Sequence, residues 1–181
     1  MRWIALLSCV SLVWLQGAAA VASEQAHRSM DGLESMTGCW QGEGWSRQRT
    51  EVKKFKSTEL VEFKAGRTVL AITGRHFDID TSQPVHDAFA IVSPATEGDG
   101  YRFRSFLASG QSGEYPAAIK DGAFVWELPI PNGGMVRYTI HIEKDTWRET
   151  GQFSPDGNQW HETFGMNLKR VHLSGACLEQ P

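Results

Sequence analysis

From residue 38 onward, apolar and polar side chains alternate in short runs, and a turn interrupts them about every ten residues. Alternation of period two puts neighbouring side chains on opposite faces of a strand. The runs predict strands at 39–49, 59–64, 68–78, 88–93, 101–107, 114–119, 123–128, 135–143, 146–153 and 160–168. Val61 and Phe63 share one face of their run, as do Leu70, Ile72 and Gly74, and Val136, Tyr138, Ile140 and Ile142. The breaks between runs carry turn residues: Ala65-Gly66-Arg67, Glu97-Gly98-Asp99-Gly100, Lys120-Asp121-Gly122, Asn132-Gly133 and Ser154-Pro155-Asp156-Gly157-Asn158. Pro116 marks its strand as an edge or bulge.

About ten strands in meander order predict an all-β fold, an antiparallel up-and-down barrel over residues 38–171. Closure removes exposed strand edges, and ten strands leave room inside. A two-sheet sandwich is the alternative. Before the barrel, residues 23–37 carry Met30, Leu33 and Met36 at spacing three, which suits a short helical plug at one barrel end. Residues 172–181 form a C-terminal tail. In the first strand Trp40, Gly42 and Gly44 share a face, and glycine on a strand face suits a sharp bend or close approach of another backbone.

The first 22 residues read as a secretory signal peptide. Arg2 precedes the mostly apolar run Trp3–Leu15, and small residues lead to Ala20-Val21-Ala22. That run is shorter than the roughly 20 residues a membrane-spanning helix needs. Removal leaves 159 of the 181 residues, one domain's worth, in the periplasm or secreted. Without Arg2, 17 of 18 basic side chains face 21 acidic ones, with no basic stripe. Nucleic acid and membrane are therefore poor partners for the mature chain, and a small molecule is the better one. Cys39 and Cys177 both survive cleavage. In an oxidising compartment, with first and last strands adjacent, they can form a disulfide; two free thiols are the alternative.

The run Gly38-x-Trp40-x-Gly42-x-Gly44, the ten-strand rhythm, and an aromatic-rich last strand ending Leu168-Lys169-Arg170 resemble the lipocalin-like (calycin) barrels. The resemblance spans about residues 33–171. It extends to an uncharacterised bacterial family of that type and to the nitrobindin-like haem barrels. The latter implies haem held by a histidine on a late strand, a place taken here by His161. The phase of Trp160, Phe164, Met166 and Leu168 turns His161 outward unless a bulge shifts the register.

Polar residues in an apolar phase are the candidates for chemistry, because an unpaired polar group is costly to bury. His76 continues the Leu70–Ile72–Gly74 face, Tyr138 lies between Val136 and Ile140, Glu149 follows Trp147, and Glu162 lies between Trp160 and Phe164. These four would orient a ligand against an apolar wall of Trp40, Tyr101, Phe164 and Met166. Internal hydrogen bonding is the plainer use for each polar group taken singly. A buried carboxylate near a histidine also suits proton transfer, as in an isomerase or cyclase. His76, Asp78, Asp80 and His86 include metal-ligand types at a spacing that matches no diagnostic pattern, so no metal is expected. No nucleophile motif or phosphate loop is present. Trp45, facing outward, would serve an interaction module instead.

Overall fold

The computed structural model describes residues 30–131, 133–172 and 177. The expected signal peptide, residues 23–29 of the plug segment and most of the tail lie outside the described residues. Ten strands follow one turn of 3-10 helix, Glu34–Met36: β1 Gly38–Gln48, β2 Glu51–Lys64, β3 Val69–Asp78, β4 Pro84–Pro94, β5 Tyr101–Leu107, β6 Ser112–Lys120, β7 Ala123–Pro129, β8 Met135–Glu143, β9 Thr146–Ser154 and β10 His161–Val171. Each pairs antiparallel with the next, and β1 pairs with β10 from Cys39↔Val171 to Ser46↔Phe164, which closes the barrel. No helix among the described residues is long and apolar enough to cross a membrane.

The glycines of β1 are there for close approach. A Cβ on Gly42 would lie 2.2 Å from the Asn167 carbonyl oxygen and 2.9 Å from Leu168 Cα, so only glycine lets β1 and β10 coil against each other here. At the β6–β7 hairpin, Asp121 and Gly122 both take positive φ (50° and 77°), the backbone a two-residue primed turn requires.

Two strands begin well before the alternation predicts. β2 begins at Glu51 rather than Glu59, because its early residues, Glu51 to Lys54, lie exposed at the barrel mouth and lack an apolar face. β4 likewise begins at Pro84, where Val85 and His86 stand in the mouth. Pro116 lies inside β6 and pairs with Arg102 of β5, but the β6–β7 ladder runs only from Ala117↔Trp126 to Lys120↔Ala123. Its missing N–H therefore faces a stretch where β6 has no ladder on the β7 side, a local edge within a closed wall.

One end of the barrel is filled. Met30, Leu33, Met36, Trp40, Val61, Leu70, Val92 and Leu168 are buried together. Trp40 donates its indole N–H to the Met36 carbonyl (2.8 Å), meets the edge of Trp147 (5.6 Å), and lies beneath the Arg170 guanidinium (4.0 Å). Arg170 also donates to the Ser35 and Thr37 carbonyls and to Asp145, tying the segment before β1 to the last strand. Cys39 and Cys177 are joined by a disulfide, with Cα atoms 5.6 Å apart.

Candidate functional site

The opposite end is hollow. A cavity of about 990 Å³ opens between the starts of β2, β4, β6, β8 and β10 and narrows toward Ile72, Ile140, Trp147 and Met166. Its walls carry two runs of stacked rings. His86 stacks on His76 (4.8 Å), His76 on Phe55 (4.4 Å, 4° between planes), and Phe55 on Phe164 (5.7 Å). Phe103 stacks on Trp126 (4.3 Å) and Trp126 on Tyr138 (4.5 Å), while Tyr138 meets Phe164 edge-on at 5.7 Å. Seven strands thus contribute one collar of rings.

Two carboxyls lie on the inward face, deeper than the collar. Glu59 follows Phe55 and Ser57 on that face of β2, and Glu149 precedes Gly151, the cross-strand neighbour of Tyr138 and Phe164. Gly74 makes room for Glu59, since a Cβ there would come within 2.5 Å of its carboxyl oxygen. Glu59 accepts from the Ser57 hydroxyl (3.3 Å), and Glu149 accepts from the Trp147 indole N–H (3.2 Å). Burial pushes the Glu59 carboxyl up to about 8, against the smaller opposing pull of Ser57. Burial, with the neighbouring Glu59 charge, pushes Glu149 up to about 8 as well. Burial also lowers His76 and His86 to about 4, and raises the Tyr138 phenol to about 12. Near pH 7 both members of the Glu59–His76 contact are therefore neutral. At 3.4 Å it is a long neutral hydrogen bond rather than an ion pair.

Of the residues singled out from the sequence, His76, Tyr138, Glu149, Phe164 and Met166 line this one cavity. Trp40 and Tyr101 do not. They face inward but are buried at the filled end, Tyr101 against Phe124 at 6.0 Å. Glu162 requires a correction. A bulge between Glu162 and Phe164 shifts the β9–β10 register, so Glu162 pairs with Gln152, stands exposed, and lies outside the cavity lining. The same shift puts His161 opposite Phe153, yet His161 too is exposed and does not line the cavity. Trp160 precedes the strand and takes the Arg137 guanidinium on its ring at 3.8 Å. Asp78 lies at the cavity rim with its carboxylate engaged in the β3–β4 loop, where it accepts from the Thr81 hydroxyl and amide at 2.8 Å, so it is not part of the His76–His86 stack. Glu59, Phe55 and Trp126 were missed. Parity alone places Glu59 with Val61 and Phe63, and Trp126 with Phe124.

The chain shares its architecture with solved structures. The Mycobacterium tuberculosis protein Rv2717c superposes with a TM-score of 0.60 at 14% identity, over 80% of this chain and 98% of that one. The S-type phycobiliprotein lyase CPES from Guillardia theta superposes at 0.56 and 9% identity, over 80% and 92%. The fold is consistent with a lipocalin-like barrel. Identities this low speak to the fold alone. No family model and no curated protein matches the sequence.

Proposed function

We propose that this chain is an exported binding protein that holds a small, largely apolar or aromatic molecule inside its barrel. The cavity carries the reading: about 990 Å³, open at one end, walled by stacked rings, with few polar groups set deep inside. His76, Tyr138 and Glu149 orient the ligand, joined by Glu59, and Phe164, Met166 and Trp126 supply apolar wall. The disulfide and the N-terminal sequence support an oxidising, extracytoplasmic compartment. The segment ahead of β1, through Met30, Leu33 and Met36, plugs the end the ligand does not use.

The test is titration with N-phenyl-1-naphthylamine, an uncharged apolar fluorophore. One site should bind it with enhanced emission, and Ser105→Trp, which puts an indole into the cavity, should abolish the signal while leaving the far-ultraviolet spectrum unchanged. Absence of binding, or binding indifferent to Ser105→Trp, overturns the proposal.

A further inference from the structure

The cavity has an imbalance that its apolar character does not explain. Two carboxyl groups, Glu59 and Glu149, lie in its depth, each at most 9% exposed. The cationic side chains among the described lining residues, Lys53 and Lys54, sit out at the mouth where β2 begins. The remaining basic groups among the described lining residues are His76 and His86. Around the acids, β8 contributes Tyr138, β9 Trp147, β3 His76 and β4 His86, with Asp78 at the rim. An apolar guest alone gives no reason to keep two carboxyls on one cavity floor, since each costs free energy to bury without a partner. Glu59 meets the Ser57 hydroxyl and the His76 ring, and Glu149 the Trp147 indole N–H, all of them neutral groups rather than a fixed cation. Above them the rings of Phe55, Phe164, Tyr138 and Trp126 border the same space.

We infer that the ligand of this cavity is an aromatic molecule bearing a basic amine, its ring held in the aromatic collar and its ammonium group set between Glu59 and Glu149. This deepens the interior-binding reading and rests on it. The collar stacks the ring, the carboxylates supply charge-assisted hydrogen bonds, and the neighbouring rings add cation–π attraction. The raised carboxyl values make the arrangement responsive. In the empty cavity the acids hold their protons near pH 7, and an arriving ammonium ion favours the ionised form, so a proton leaves as the cation enters. Neither His76 nor His86, both held neutral, competes as a resident cation.

The experiment compares tryptamine with tryptophol, in which a hydroxyl replaces the ammonium group, by calorimetry on the full mature chain at pH 7. Tryptamine should bind roughly tenfold more tightly. Its binding heat should vary between phosphate and Tris buffers in the sense of proton release, and tryptophol's should not. Glu59→Gln and Glu149→Gln keep the side-chain shape and cannot ionise. Each should reduce the preference, and the double variant should abolish it while N-phenyl-1-naphthylamine still binds. Tryptamine binding no tighter than tryptophol, or a preference that survives the double variant, overturns the amine assignment. With the naphthylamine still bound, the interior-binding reading stands. Failure of the naphthylamine to bind removes both.

Discussion

The two buried carboxyls should make the stability of the ligand-free protein fall as pH rises through neutrality. An unfolded glutamate ionises near 4.5, whereas folded Glu59 and Glu149 hold their protons to about 8. Below 4.5 the folded and unfolded chains bind the same proton at each site, and the contribution of these groups is fully present. Between 4.5 and 8 the folded protein keeps protons the unfolded chain has released, so each step up in pH costs stability. His76 works the other way. Its folded value near 4 lies below the ordinary 6.5, so its contribution is lost as pH falls through 4 and grows as pH climbs toward 6.5. His86 has the same sign but stands partly in the solvent of the mouth, which damps its share. Up to pH 6.5 the histidines offset the carboxyls. Above it the carboxyls act alone. From 6.5 to 8 each glutamate costs about 2 kcal/mol, and the pair about 4 kcal/mol. Urea unfolding followed by tryptophan emission at several pH values across that interval reads the slope. Glu149→Gln should remove about half of it, and the double glutamine variant nearly all. Stability that is level or rising from pH 6.5 to 8, or a slope untouched by the glutamines, refutes the argument.

Other perturbations have equally definite outcomes. Replacing Cys39 by Ser opens a loop of 138 residues and should cost about 5 kcal/mol in the chain-entropy picture, read as a fall in the urea midpoint that reducing agent reproduces in the parent protein. Gly42→Ala drives a methyl group into the Asn167 backbone and should cost about 3 kcal/mol by thermal melting, whereas Gly66→Ala, whose Cβ meets no atom within 4 Å, should cost about 1 kcal/mol from its left-handed backbone alone. Trp40→Phe keeps a six-membered aromatic ring but removes the pyrrole half with its N–H, stranding the Met36 carbonyl. A loss of about 1–2 kcal/mol with N-phenyl-1-naphthylamine binding unchanged would mark that end as structural.

Parity carried most of what could be read in advance. It placed the ten strands, and it put His76, Tyr138, Glu149, Phe164 and Met166 on the face that proves to be the cavity wall. What it lacks is depth. Trp40 and Tyr101 look inward as expected, but at the packed end, because a period of two says which way a side chain points and nothing about how far along the axis it sits. The Glu162 error has a different origin. One extra residue, Thr163, is inserted where β10 meets β9, and every side chain before it changes face. Glu59 was legible and passed over, because its strand begins with charged residues at the mouth and the alternation becomes visible only after it.

The short ladder between β6 and β7 gives the wall a place to part. Four residue pairs hold that seam, against ten between β2 and β3, and the β6 residue just beyond the ladder is Pro116, which cannot donate. Fluctuations that separate neighbouring strands cost least where the fewest backbone bonds must break. Tyr115 and Trp126 stand on either side of this slit, 5.7 Å apart, and both border the hollow. Amide hydrogens along this seam should therefore exchange sooner than those between β2 and β3.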